Sequence, residues 1–409
     1  MIGFSFKGPL KIIAAMNQYV TLDNGLRLII YNRKDLSTVG VALGVGIGSI
    51  YEEAGKRGIS HLAEHIIYRG YPNIDLEIEG LGGVSDAYTE RTLTMYVFEV
   101  IPSGLRDLLK LIYRMFTNKK VNGEDLEKER RVVLSELRMR SDDPDTLIYD
   151  LGPRALFGDS DYGDPVIGLE ESILSIDSKD LEDFLESYYT PDNMVLSIVG
   201  PVNIPINEIT SMFGKWYGAS RPKKTPSMGK GGPIIVRRHT DAAYLSYSWY
   251  ITLDNRDPYL LMVKSSLLEF HLVNGLSSYL ISRLRNRGLT YAVDMDRDLL
   301  PGVYYYQILV SAVNVNIIDE VREEVVAALR NVGDIFANEY YLSKRFNYFK
   351  YLINDYTRRP AQIAESMSYM ELKVGMHDID NFNKLLETYF RNDVSDLITD
   401  GVWSMILPS

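Results

Sequence analysis

Residues 218–233 read Gly-Ala-Ser-Arg-Pro-Lys-Lys-Thr-Pro-Ser-Met-Gly-Lys-Gly-Gly-Pro. Glycine and proline punctuate this stretch and little in it could be buried, so it reads as a linker rather than as a helix or strand. It separates residues 1–217 from residues 234–409 of a 409-residue chain, and each part is long enough for a core of its own.

Working outward from the linker, the two halves follow one plan. In the first, alternating apolar residues predict strands at Gly25–Tyr31 and Thr38–Val45, a helix over Ile59–Tyr68, a glycine turn at Gly80–Gly83 and a long strand from Tyr88 to Val100. Helices over 103–117 and 123–141 follow; Asn122 or Asp125 caps the second, which ends before Pro144. In the second half a strand near Ala243–Ile251 precedes a helix over Pro258–Leu272, a break at Gly275 and a helix over Leu276–Arg285. A strand around Thr290–Asp296 then pairs with Val303–Val315, and helices begin at Ile317 and Tyr340. Strands followed by helix pairs, twice over, define an α+β class in which one sheet-and-helix domain is duplicated, and disfavour a Rossmann-type sheet.

Composition removes whole classes of function. The chain has 44 Lys and Arg against 55 Asp and Glu, a net charge of −11, which gives no electrostatic footprint for nucleic acid. No cysteine is present, so disulfides, thiolate metal sites and cysteine nucleophiles are excluded, and any transition metal must rest on His, Asp and Glu. The opening residues Met1–Gly8 lack a basic-then-apolar leader pattern, and the apolar stretch Val39–Ile50 is too short and too rich in glycine to span a bilayer. These features give the expectation of a cytoplasmic protein without a membrane partner.

Among five histidines, two are four residues apart in Gly58-Ile59-Ser60-His61-Leu62-Ala63-Glu64-His65. On a helix His61, Glu64 and His65 share one face, so two imidazoles could hold one zinc ion with a carboxylate beside its water, the inverted zincin order H-x-x-E-H. A catalytic zinc needs a third protein ligand and an open position. The acid-rich helix around Glu124–Glu136 offers Glu129 and Glu136, seven residues apart and so on one face, set among Val132, Val133 and Leu134. Buried carboxylates are costly unless paired or metal-bound. His239, His271 and His377 have no partner at ligand spacing and read as structural or solvated, and Tyr304–Tyr306 reads as strand packing.

The spacing of His61, His65 and E-x6-E about seventy residues on resembles the pitrilysin or insulinase-type metallopeptidases, which include the mitochondrial processing peptidases. Leu81–Thr89 (LGGVSDAYT) is similar to the family's G-G-x-x-N-A-x-T segment, and Tyr188–Leu196 (YYTPDNMVL) to its Y-x-P-x-N-M-x-L. The resemblance implies that His61, His65 and Glu136 are zinc ligands, Glu64 the general base and Glu129 a support for the ligand shell. It implies that Gly83, Ser85, Asp86, Ala87 and Thr89 meet an extended peptide by strand addition. Asp86 stands where the family usually has Asn and could accept but not donate. In Gly275–Tyr291 the resemblance implies a substrate-contacting Tyr291 and an arginine: alignment from Ser277 places Arg285 there, alignment back from Tyr291 places Leu284 because the loop is one residue short, and Arg285 with a one-residue deletion is preferred, with Arg287 in reserve.

The implied activity is zinc-dependent endoproteolysis of short or unfolded peptides, basic ones if the acidic excess lines the chamber. Four such domains close a chamber in this family, so a two-domain chain implies a homodimer or a heterodimer with a related subunit. The alternative is a non-catalytic or partner-dependent subunit of a processing peptidase. A zinc-free hydrolase has no visible nucleophile motif.

Overall fold

The computed structural model describes residues 17–409, so the leader reading at Met1–Gly8 lies outside the described residues. The first half runs β1 (Asn17–Thr21), β2 (Arg27–Asn32), β3 (Val39–Val45), α1 (Ile59–Arg69), α2 (Ile74–Gly80), β4 (Gly83–Thr89), β5 (Thr94–Val100), α3 (Leu105–Thr117), α4 (Gly123–Asp142), α5 (Pro144–Phe157), α6 (Glu170–Ser175), α7 (Ser178–Tyr188), β6 (Met194–Gly200) and α8 (Ile206–Phe213). The second runs β7 (Ile234–Arg238), β8 (Ala243–Thr252), α9 (Pro258–Val273), α10 (Tyr279–Asn286), β9 (Ala292–Leu300), β10 (Val303–Val313), α11 (Ile318–Arg330), α12 (Gly333–Ala337), α13 (Glu339–Tyr356), α14 (Pro360–Val374), α15 (Ile379–Tyr389) and β11 (Val402–Pro408).

The strand orders are β1-β2-β6-β3-β5-β4 and β7-β11-β8-β10-β9. With β1 set aside, the two sheets are the same sheet: each has one parallel pair, β2 with β6 and β7 with β11, and is otherwise antiparallel. The duplication expected from sequence is therefore present in the topology, as two mixed sheets packed by helices.

The halves exchange a helix. Helix α5 leaves the first half and lies on β8, β10 and β11, whereas α14 of the second half lies on β3, β5 and β6. Glycines permit both approaches: a Cβ at Gly40 of β3 would sit 2.2 Å from the Pro360 carbonyl carbon, and one at Gly152 of α5 would sit 2.3 Å from the Gln307 side chain. A buried bond between Ser368 Oγ and Ser197 Oγ, 2.7 Å, joins α14 to the first sheet. Residues 218–233 carry no regular element and are stitched to the end of α5. The Gly231 N–H donates to the Leu156 carbonyl at 3.1 Å, and Lys224 and the Ser227 N–H both reach Asp161.

One expected element needs correction. The strand drawn from Tyr88 to Val100 is a hairpin, β4 and β5, closed where the Glu90 N–H donates to the Leu93 carbonyl at 2.8 Å. The turn Glu90-Arg91-Thr92-Leu93 contains no Gly, Pro, Asn or Asp, so nothing in its composition announces it. The hairpin leaves β4 at the edge of its sheet. No helix among the described residues is long and apolar enough to cross a membrane.

Candidate active site

Helix α1 starts at Gly58, whose φ of +96° suits glycine, and its first turn is held by the buried Glu52. The Gly58 and Ser60 N–H groups donate to the two Glu52 carboxyl oxygens at 2.7 and 2.8 Å, which satisfies orphan donors of the helix, while burial pushes that carboxyl up to about 7. Glu52 has no motif around it, and sequence reasoning missed it; an acid six residues before the α1 N-terminus was the available signal. Arg57 is fixed beside it by ion pairs to Asp161 and Asp164.

From this anchored turn α1 presents His61, Glu64 and His65 on one face, with one ligand atom of each lying within 4.8 Å of the others. Helix α4 crosses opposite, starting at Asn122, whose side chain accepts from the Glu124 N–H at 3.1 Å as the capping pattern predicts. It sets Glu136 Oε2 at 3.7 Å from both His61 Nε2 and His65 Nε2. Glu129, buried one stretch earlier on the same face, accepts from His65 Nδ1 at 3.2 Å. That bond places the His65 proton on Nδ1 and leaves Nε2 as a lone-pair donor. The packing of α4 on α1 thus separates the positions of the two acids: Glu136 faces the Nε2 atoms of both imidazoles, and Glu129 holds the Nδ1 side of one of them.

The donor set fits zinc. Zinc bonds of ~2.0–2.1 Å in a tetrahedral arrangement put neighbouring ligand atoms about 3.3 Å apart, close to the observed separations. The two rings meet edge to face with centroids 4.8 Å apart, and the buried His61 Nδ1 has no hydrogen-bond partner, so packing alone holds that ring with Nε2 inward. Burial, with the neighbouring His65, pushes His61 down to about 4, so its ring is a neutral donor at neutral pH. Burial pushes the Glu64 carboxyl up to about 7, with Glu136 and Asp86 adding to the rise, and its Oε2 lies 3.9 Å from His61 Nε2.

A cavity of about 250 Å³ opens over this cluster and is lined by Tyr68, Ser85, Asp86 and Ala87 as well as the His and Glu side chains. It continues into a trough of about 530 Å³ bounded by Ala87–Arg91 of the hairpin and by Asp150, Asp296 and Asp298. The structure therefore brings Ser85, Asp86, Ala87 and Thr89 together with the His-Glu-His cluster along the β4 edge, and Gly83 begins that strand. Ser85 is tied to the Tyr68 hydroxyl of α1, which fixes the strand to the metal-site helix.

Arg285 and Tyr291 are elsewhere. Tyr291 is 83 % exposed, Arg285 is exposed and makes no ion pair among the described residues, and neither lines the cavity or the trough. Arg287, the reserve candidate, is held by Glu320 and Glu324, which leaves Arg285 the freer of the two. Of the remaining histidines, His271 is fully buried against the Phe390 carbonyl, His377 stacks on Tyr19 and bonds to Glu371, and His239 is exposed. Tyr304–Tyr306 pack within β10.

Fold and site together define a two-domain protein with a His-Glu-His cluster in its first half. The insulinase (peptidase M16) family model matches residues 27–169, and the peptidase M16 inactive-domain model matches residues 175–339. The chain belongs to the peptidase M16 family. An uncharacterized zinc protease of Bacillus subtilis is 28 % identical over 286 residues, covering 67 % of this chain and 68 % of that protein. One of Mycobacterium leprae is 31 % identical over 290 residues, covering 67 % of this chain and 64 % of that protein. Among solved structures, a protease from Helicobacter pylori superposes with a TM-score of 0.84 at 21 % identity, over 97 % of this chain and 100 % of that one. A peptidase M16 inactive domain from Pseudomonas fluorescens gives 0.79 at 15 % identity, over 96 % and 98 %.

Proposed function

We propose that the chain is a zinc-dependent endopeptidase for short or unfolded peptides. The observation that carries this reading is the convergence of His61 Nε2, His65 Nε2 and Glu136 Oε2, with Glu64 beside them, on a cavity edged by an unpaired strand. Zinc held by His61, His65 and Glu136 would polarise the scissile carbonyl and acidify a water toward neutral pH. Glu64, beside the position such a water would take, would accept its proton and return it to the leaving amine. The free edge of β4 over Gly83–Thr89 pairs with an extended peptide backbone and lays the scissile bond across the cluster. A folded substrate cannot offer an unpaired backbone edge, which sets the preference for short or unfolded chains. Basic peptides suit the trough, where Asp150, Asp296, Asp298 and Glu90 outnumber Arg91, Arg140 and Arg297.

Arg285 and Tyr291, exposed and remote from the cavities of their own chain, act on the site of a second subunit, where they hold substrate carbonyls or the developing oxyanion. A homodimer is self-sufficient, because each chain carries both sets of residues. The second reading, a partner-dependent subunit of a heterodimer, draws on the same exposure of Tyr291.

The test is zinc content and peptide cleavage by the purified chain beside Glu64→Gln. One zinc per chain in both proteins, with cleavage only in the unmodified chain, supports the mechanism. Undiminished cleavage by Glu64→Gln overturns it. Cleavage that appears only on adding a related second chain selects the heterodimer.

A further inference from the structure

The two imidazoles of the cluster are held in different ways. His65 lies one turn along α1, and its ring donates from Nδ1 to Glu129 at 3.2 Å. His61 is the third residue of the helix, inside the first turn, and the Nδ1 atom of its ring is buried without a hydrogen-bond partner. The direction of its Nε2 therefore follows from packing and from the backbone of that turn. A first turn is where a helix frays, because its N–H groups have no carbonyl one turn earlier to receive them.

The usual remedy, a side chain at the N-cap position, is absent. Gly58 stands there with a φ of +96°, and an added Cβ would lie 2.7 Å from the Ile167 carbonyl oxygen, so the position is kept for glycine. The cap comes instead from Glu52, six residues earlier and 2 % exposed, whose two carboxyl oxygens receive the Gly58 and Ser60 N–H groups at 2.7 and 2.8 Å. These bonds go to backbone on the residue next to His61, not to either ring.

The loop that carries Glu52 is itself braced. Arg57, also buried, donates from Nη1 to the Glu52 carbonyl at 2.8 Å, reaches Asp161 with Nη2 and pairs with Asp164 through Nε at 2.9 Å. A guanidinium engaged on three sides closes the loop between Glu52 and Gly58, so the cap is presented to α1 from a fixed point.

We propose that Glu52 is a positioning residue for the metal site: by capping the first turn of α1 from outside the helix, it sets His61 for zinc as Glu129 sets His65. The proposal rests on the reading of His61, His65 and Glu136 as zinc ligands. Each acid then supports one imidazole. By reciprocity, zinc that holds His61 also orders the turn that Glu52 caps.

The test uses the full-length chain and reads zinc affinity by competition with a chelator. Glu52→Gln keeps the size of the side chain but turns an amide NH2 toward one of the two N–H groups, and Glu52→Asp keeps the carboxyl but is one methylene too short to serve both. Each should weaken zinc by about tenfold, with kcat restored and KM unmoved once zinc is raised. The losses from Glu52→Gln and Glu129→Gln should multiply in the double variant, because they act on different rings. Asp257→Ala removes the cap of α9, where Asp257 accepts from the Tyr259 N–H at 2.9 Å; it should lower the melting temperature and leave zinc affinity alone. In the unmodified chain, added zinc should slow amide exchange at Ser60 and His61, a measurement that needs no variant to fold. Unchanged zinc affinity in both Glu52 variants, an equal loss in Asp257→Ala, or exchange at Ser60 indifferent to zinc overturns the proposal. Zinc weakened by the Glu52 variants in a chain that cleaves no peptide overturns the peptidase reading and leaves the positioning role standing; cleavage by a chain whose zinc affinity the Glu52 variants do not alter does the reverse.

Discussion

Glu64 and Glu129 are both buried acids next to His65, but their positions give them different work. Glu64 faces the cavity, so Glu64→Gln should lower kcat by about 10²–10⁴ while zinc stays bound at one equivalent. Glu129 touches only the outer nitrogen of His65, so Glu129→Gln should loosen zinc by about 10–100-fold, read by competition with a chelator, and activity should return when zinc is raised. At this scale the sequence was most legible. H-x-x-E-H fixed three side chains on one face because a helix has one period, and the seven-residue spacing put two acids on another. Which acid faced the metal was left to the resemblance, because the rotation of α4 against α1 depends on packing and not on spacing. Glu52 was invisible for the same reason: it reaches the first turn of α1 through the path of a loop.

Between elements, close contacts decide more than local propensity. Gly40 has the Pro360 backbone against it, so Gly40→Val should cost about 1–3 kcal/mol in denaturant unfolding, whereas Gly55→Ala, with nothing within 4 Å, should be nearly neutral. The linker offers a second measurement. Burial opposes the charge of Asp161, but the Ser227 N–H, Lys224 and Arg57 outweigh it and hold the carboxyl down at about 2, below its ordinary 3.8. A depressed folded pKa favours the folded state when the group is ionised, so this contribution is complete above about pH 4 and disappears as the pH falls toward 2. Asp161→Asn should therefore lower the melting temperature at neutral pH, and the gap to the unmodified protein should close on acidification through that window. Composition identified residues 218–233 as a linker but not what it is pinned to. The strand over Tyr88–Val100 was read as unbroken because the turn between β4 and β5 lacks turn residues, although the resemblance already implied strand addition along Gly83–Thr89.

Across the whole molecule, the exchange of α5 and α14 binds the two halves of the chain together. If zinc sits at the cluster as proposed, chelation should abolish cleavage but leave most of the cooperative unfolding transition in place, because the ion would join two helices of a domain that has its own core. If Tyr291 serves the neighbouring subunit, Glu64→Gln and Tyr291→Phe should each be inactive alone. An equal mixture, refolded or exchanged together, should then recover about a quarter of the activity, since half the dimers are mixed and each of those holds one intact site. Failure of the mixture to recover any activity would place Tyr291 on the site of its own chain or on none.

The sequence by itself determined the duplicated unit and the sharing of one helix face by His61, Glu64 and His65, because both depend on periodicities the chain carries locally: the alternation of strands, the 3.6-residue turn of a helix and the break at 218–233. Only the tertiary structure decided the crossing of α4 over α1, the exchange of α5 and α14 and the free edge of β4. Each of these arises where residues far apart in the chain meet, and their distances are set by the packing of whole elements, which no local period encodes.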